Sequence, residues 1–340
     1  MFLGRSARLI RGLTLAAAAA LALAACGDKP SLVGSRPDEI NFAILSADAH
    51  ASSPPLWEPL LADLSDAVGV KVKPFRASDE ASIVEAMRSG QVQAGWFLAR
   101  PALNAVERGG AEVLARTVDP SGEATYRSVL IVRKGRKIGL DDVLKCGRKY
   151  SLGVGAAESI SGTLAPTTYL FTPRGLEPSR CFKAVRAANH QANLLAVANG
   201  AVDVASNNTV GLSFARHENP ALADRVEVIW VSPPLPESSI LVRKDLDPSL
   251  KEKMRQFFIT YGAGDGPEAD RQREVLRKLA YGGFRPAPDT YLDPAREMAA
   301  GEAVAEARKS GDKAKVAAAE ARFEKVRAAA AQRRAAEPDI

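Results

Sequence analysis

Residues 152–171 read LGVGAAESISGTLAPTTYLF. An apolar run ends at Gly155, a turn of small residues follows, and Ser159-Ile160-Ser161-Gly162 opens a helical pattern. The first turn of a helix leaves backbone N–H groups without partners, and the aligned peptide dipoles place partial positive charge there. An anion in front of such an end is stabilised, and serine hydroxyls can add donors. The same residues suit a plain capping role for Ser159, so the segment alone leaves both readings open. Hydrolysis is the other chemistry within reach, with Ser159 or Ser161 as nucleophile beside His190 and Asp203. No G-x-S-x-G elbow surrounds either serine, and a helix mouth is where an anion rests rather than where a nucleophile meets its base. With three His and three Cys in the chain, an all-protein zinc site is not expected, nor is any metal or cofactor.

The elements that must hold these residues follow from hydropathy. From residue 39 short β-like runs alternate with helical stretches. Strands are predicted at 40–45, 70–75, 94–97, 113–118 and 128–133, with helices from 55 through 64 and over 82–88. After Lys134-Gly135-Arg136 the alternation restarts: helix 140–145, strand 150–155, helix 162–171, strand 182–188, helix 191–200, strand 202–206, a short helix to His217, and strand 226–231. Strands separated by helices of this length imply parallel α/β sheets. Two runs, YRSVLIVR at 126–133 and SILVR at 239–243, look alike and bracket the middle block. They predict two strands crossing between lobes, with lobe 1 from 39–129 and 238–290 and an inserted lobe 2 from 130–237. A cleft between two α/β lobes is a usual place for a ligand. Helices at 248–262 and 268–279 complete lobe 1, and residues 291–340 form a helical tail, expected to be docked or frayed rather than a partner-binding device.

The 340 residues are 46% hydrophobic and 25% charged, which supports a packed core and excludes a disordered or collagen-like chain. The net charge is +6, and Arg5, Arg8 and Arg11 contribute half of it. What remains is too thinly spread for a nucleic-acid partner. Those arginines precede an apolar run at 13–25 that is short of the roughly 20 residues of a membrane span and has the charged start of a secretory signal. Leu23-Ala24-Ala25-Cys26 is similar to the bacterial lipobox, in which the cysteine is acylated; a plain export signal with a chance cysteine is the alternative. The resemblance implies a signal peptide over 1–25, lipidation at Cys26, a polar tether over 26–38, and a periplasmic protein lipid-anchored to the membrane. Outside the cytosol disulfides persist. Cys146 and Cys181 each just precede a strand-like run, so parallel neighbouring strands would set them side by side; two free buried thiols are the alternative.

Several blocks resemble the periplasmic phosphonate-binding component of ABC transporters. Residues 126–132 (YRSVLIV) are similar to that family's crossover strand, and Glu158-Ser159-Ile160-Ser161-Gly162 to its Ser-Thr-Ser-Gly anion loop. The stretch 189–199 (NHQANLLAVAN) resembles its His-x-x-Asn-x-Leu-Ala-Val-Ala-Asn helix; 202–209 (VDVASNNT) and 228–233 (VIWVSP) are also similar. The resemblance implies an α/β fold of two lobes (a type II periplasmic binding protein) with two crossover strands and a C-terminal helical extension. It implies a substrate-binding lipoprotein, not an enzyme, that captures a phosphonate, phosphite or phosphate and delivers it to an ABC permease in the inner membrane. A monomer is expected, with dimerisation through the C-terminal helix as the other option. The oxyanion would meet Ser159, Ser161 and the amides of Ile160 to Gly162, with hydroxyl and imidazole donors from Tyr126 and His190. Phe97 and Asn208 would lie near it. Another small anion such as a sulfonate, or a ligand-sensing subunit of a signalling system, would use the same cleft.

The pattern departs from the family in three respects, at four positions. Ile160 replaces the loop threonine and so loses a hydroxyl. An aminoalkylphosphonate binder of this family holds the ammonium with carboxylates at positions that here are Val210 and Ser238, and a buried ammonium without a carboxylate is costly. Glu80, where the family usually has a tyrosine, and Glu237 are candidates for a relocated acid. Glu80 beside a dianion would be repulsive, so it turns away, meets a cationic ligand group, or is protonated.

Overall fold

The computed structural model describes residues 34, 36–45, 54–77, 79–123 and 125–336. The predicted signal peptide, Cys26 and most of the tether lie outside the described residues. In chain order the strands are β1 (Glu39–Leu45), β2 (Lys71–Ala77), β3 (Ala94–Phe97), β4 (Ala111–Val118), β5 (Thr125–Tyr126), β6 (Ser128–Arg133), β7 (Ser151–Val154), β8 (Ala184–Ala187), β9 (Val204–Asn208), β10 (Val226–Val231), β11 (Leu235–Pro236), β12 (Ser239–Arg243) and β13 (Gly283–Pro286). One six-stranded sheet has the order β13-β4-β12-β3-β1-β2 and a five-stranded sheet has the order β10-β6-β9-β7-β8. Parallel pairs are joined through helices, as the alternation predicts, and antiparallel β12, β13, β6 and β10 complete the two sheets. The first core is aromatic: the Phe42 ring lies 5.7 Å from Trp57 and 6.3 Å from Phe258.

The two look-alike runs lie at the crossings. β6 pairs with β9 and β10, and β12 pairs with β3 and β4, so the body of each run belongs to one sheet. The passage between sheets falls at their leading ends, where β5 and β11 form a two-residue antiparallel ladder with Tyr126, the first residue of one run, opposite Leu235 and Thr125 opposite Pro236. Ser128 and Val129 already pair with Asn208 and Asn207, so the second sheet starts two residues ahead of the predicted lobe boundary. The cause is local: buried Ser128 donates its hydroxyl to the Ser161 carbonyl at 2.6 Å, which ties it to that side.

Helix Ala99–Arg108 and strand β13 are among the elements that the sequence does not predict. Helix Ala99–Arg108 has Pro101 in its first turn and buries Ala102, Leu103, Ala105 and Val106. Edge strand β13 is only four residues long and carries two prolines' worth of interruption at its end, Pro286 and Pro288. The predicted 162–171 helix is present as two wide-turn stretches, Ile160–Leu164 and Pro166–Phe171. Here N–H groups reach back five residues, with Leu164 donating to the Ser159 carbonyl at 3.0 Å. Such widened turns concentrate at functional sites.

Cys146 and Cys181 are joined by a disulfide. The geometry behind it is the expected one, because β7 and β8 are parallel neighbours with Ser151 opposite Ala184. Immediately before them the Arg148 amide donates to the Cys181 carbonyl at 2.9 Å.

The tail is docked rather than frayed. Helices Asp293–Ser310 and Lys313–Ala336 fold back on each other at Gly311, whose φ of 70° suits glycine. Arg333 donates to Asp293 at 2.9 and 3.0 Å and Arg334 to Glu297 at 2.9 Å, which closes the hairpin. Toward the first sheet, Arg100 pairs with Glu302 at 2.8 Å. Toward the second, Gly301 lies against Thr168, where an added Cβ would sit 2.6 Å from the hydroxyl oxygen.

Candidate functional site

A cleft of about 580 Å³ opens between the two sheets beside the β5–β11 ladder. One wall comes from Ser159, Ile160, Ser161, His190, Asn208 and Val210, the other from Leu98, Ala99, Glu237 and Ser238, with Tyr126 between them. Four helix starts face this space: Ile160–Leu164, Thr209–Glu218, Ala99–Arg108 and His190–Asn199.

The helix start at Ile160 is set by the end of β7 and by close glycine packing. The Gly155 amide donates to the Gly162 carbonyl at 2.9 Å, and Ser206 donates to the same oxygen at 2.6 Å. A Cβ on Gly162 would lie 2.7 Å from the Gly155 Cα, so neither position admits a side chain. The Ser159 hydroxyl accepts from the Gly162 amide at 3.1 Å. The capping reading of Ser159 is therefore realised, and the Gly162 amide, expected among the anion donors, is already committed to Ser159. The amides of Ile160 and Ser161, as first-turn groups, have no partner inside the helix. A hydroxyl that accepts can still donate, so Ser159 keeps its proton for another acceptor.

Ser161 is the centre of the cluster. Its Oγ lies 3.1 Å from His190 Nε2, accepts from Asn208 Nδ2 at 3.2 Å and is hydrogen-bonded to the Tyr126 hydroxyl. His190 is the first residue of helix His190–Asn199; the cap is Asn189, whose side chain accepts from the Ala192 amide at 2.8 Å. Asn207 donates to the His190 carbonyl at 2.9 Å and fixes that turn. This supporting set of Ser128, Ser206 and Asn207 lies inside two of the blocks that resemble the family, but nothing in the sequence marks these residues as supports of the loop. Burial holds the His190 imidazolium down, so the ring is neutral near pH 7. Burial, with Glu237 nearby, pushes the Tyr126 phenol up, so it keeps its proton.

The remaining predicted residues separate. Asn208, Val210, Glu237 and Ser238 all line the cleft. Ser238 is nonetheless spoken for, 2.9 Å from the Thr117 hydroxyl and 3.0 Å from that of Tyr281. Phe97 does not reach the cleft. β3 lies between β1 and β12, and Phe97 is fully buried in the cluster with Ile83, Met87 and Leu103. The side chain of Glu80 lies outside the described residues. Asp203 is far from any catalytic arrangement with His190: it accepts from the Ser151 amide and hydroxyl, both at 2.9 Å, and pairs with Lys183 at 3.0 Å. Leu98 and Ala99 were missed because the helix they begin was missed; its apolar spacing and early proline were the available signal.

Among the described residues, Glu237 is the cleft acid with a displaced titration. Burial, reinforced by Asp119, raises it from the usual 4.5 to about 7. The unfolded chain releases this proton near pH 4.5 and the folded chain retains it to about pH 7. Stability therefore falls as pH rises between those values, by about 3 kcal/mol once both states are ionised. Glu237→Gln is expected to melt several degrees above the parent chain at about pH 8 and level with it at about pH 4. Parallel melting curves that never converge would mean that Glu237 does not titrate in this way.

The family model described as ABC transporter, phosphonate, periplasmic substrate-binding protein matches residues 42–292. The phosphonates-binding periplasmic protein of Escherichia coli is 37% identical over 261 residues, 76% of this chain and 75% of that one. A phosphate-import protein of Mycolicibacterium smegmatis is 27% identical over 266 residues, 72% of this chain and 80% of its own. Among solved structures, the binding-protein component of an ABC phosphonate transporter from Pseudomonas aeruginosa superposes with a TM-score of 0.60 at 33% identity, covering 88% of this chain and 99% of that one. With two sheets joined by a short ladder over a cleft of hydroxyl, imidazole and amide groups, this chain belongs to the periplasmic phosphonate-binding proteins of ABC transporters, a family of type II periplasmic binding proteins.

Proposed function

We propose that this member of the family captures a phosphonate, phosphite or phosphate by the Ser161 cluster and hands it to an inner-membrane ABC permease. The observation that carries this reading is the convergence of Tyr126, His190 and Asn208 on Ser161 Oγ beside the helix start at Ile160. The groups are uncharged donors. Hydrogen bonds to a charged acceptor contribute about 1.5–3 kcal/mol each, and four or five of them, less ordering costs, reach the roughly 8 kcal/mol of micromolar binding. The oxygens of the anion meet the hydroxyls of Ser159, Ser161 and Tyr126, the amides of Ile160 and Ser161, and His190 through Nε2.

The position of Asp203 supports a binding role over hydrolysis, since among the described residues no carboxylate partners His190 Nδ1 behind the Ser161–His190 pair. We further propose that the mature chain is a monomer acylated at Cys26 and held at the membrane on the periplasmic side. Among the described residues no helix is long and apolar enough to cross a membrane.

Calorimetric titration of the full chain with methylphosphonate, phosphite, phosphate and 2-aminoethylphosphonate tests the ligand class. Binding of at least one in the micromolar range is expected, and Ser161→Ala is expected to weaken it about 10–100-fold. Val210 and Ser238 offer no charge to an ammonium, so 2-aminoethylphosphonate is expected to gain less than about tenfold over methylphosphonate. Silence toward all four ligands rejects the class.

A further inference from the structure

Behind the β5–β11 ladder, on the side away from the Ser161 cluster, lies a second cavity of about 420 Å³. Successive residues of a strand point to opposite faces, so Tyr126 serves the cleft while Thr125 lines this cavity. Its lining is mostly apolar and includes Tyr169, Tyr291 and the prolines at 233, 234 and 236. One lining side chain is anomalous. Arg116 is 7% exposed, and its Nε is buried without a hydrogen-bond partner. No carboxylate among the described residues pairs with it. Asp293 and Arg334 also line the cavity but are already held, Asp293 by Arg296 and Arg333 and Arg334 by Glu297. Directly across the sheet from Arg116 stands Arg285, a like charge that worsens its position. The guanidinium lies 5.5 Å from the centre of the Tyr291 ring, which orients it without neutralising it.

A mostly buried cation with no carboxylate partner among the described residues, in a mostly apolar chamber of this size, has the make-up of an organic-anion site. A guanidinium matches the planar fork of a carboxylate, and flat ring walls match a flat apolar body. A phosphate dianion would leave excess charge against proline and tyrosine carbon, so the carboxylate is favoured. We propose that the cavity behind the ladder binds a small aromatic carboxylate, with its carboxylate on Arg116 and its ring between Tyr169, Tyr291 and the proline wall. This site is separate from the Ser161 cluster and its existence does not depend on what that cluster binds.

The test uses 2-naphthoate and its neutral analogue 2-naphthamide, titrated into the full chain by calorimetry. The expected result is naphthoate binding below about 1 mM, with the amide at least tenfold weaker. Arg116→Gln is expected to remove the preference for the acid, while Ser161→Ala leaves naphthoate binding unchanged. Equal binding of acid and amide to the unaltered chain overturns the proposal, as does no binding at all, and neither reading requires the Arg116 variant to fold. Loss of naphthoate binding in Ser161→Ala would place the probe in the cleft and equally overturn it.

Discussion

Gly162→Ala is expected to abolish oxyanion capture, lowering affinity for the tightest ligand of the titration set by at least about 100-fold, and to destabilise the chain by about 1–3 kcal/mol. The new methyl would stand 2.7 Å from the Gly155 Cα, 2.7 Å from Ser159 Oγ and 2.9 Å from the Gly155 nitrogen. Two of these are backbone atoms that cannot swing aside, so the turn itself must shift. That shift reaches the cluster directly. The Ser159 hydroxyl caps the Gly162 amide, the Gly155 amide and the Ser206 hydroxyl share the Gly162 carbonyl, and Ser128 holds the carbonyl of Ser161. Hydrogen-bond strength falls steeply with angle, so several donors displaced together lose far more than one removed. Gly147→Ala is the matched control, because nothing lies within 4 Å of an added Cβ there. Unaltered calorimetric affinity in Gly162→Ala would show that the Ile160 helix start does not hold the anion.

The second large effect separates stability from binding. The bridge between Cys146 and Cys181 spans 35 residues, and closing a loop of that length in the unfolded chain contributes roughly 3–4 kcal/mol. The Cys146→Ala/Cys181→Ala chain is expected to lose that amount in urea denaturation. Its affinity for the oxyanion is expected to change by less than about twofold. The reason is the direction of β7, whose Ser151 end lies by the bridge and whose Val154 end leads to Gly155 and the Ser161 cluster. A loss of affinity matching the loss of stability would mean that the two ends of β7 are not mechanically independent.

Much of the architecture was legible because burial writes itself into periodicity. The alternation of apolar runs and helical stretches marked most strands, and export together with two parallel strand starts pointed to the bridge. The same signal fails where both faces of an element are covered. All of β3 is buried, so no alternation indicates which way Phe97 points, and it packs with Met87 rather than facing the ligand. Helix Ala99–Arg108 directly follows that strand, with no turn residues to separate the two patterns. The serines of the anion loop were legible as a class, but not their division of labour. Ser159 caps and Ser161 gathers donors because Asn208, His190 and Tyr126 arrive from distant parts of the chain, a fact of tertiary geometry. The protonation of Glu237 was equally invisible, since burial and Asp119 raise it and neither is local in sequence.

The C-terminal hairpin touches both sides of the molecule. Glu302 grips Arg100 of one half, while Gly301 nests on Thr168 of the other and Pro294 accepts from the Tyr169 hydroxyl at 3.4 Å. Any swing about the two-residue ladder would either slide Thr168 over the glycine or carry the whole hairpin as ballast. Bulk added at residue 301 meets the Thr168 side chain and not the cleft, so it would act on such a swing without touching the jaws.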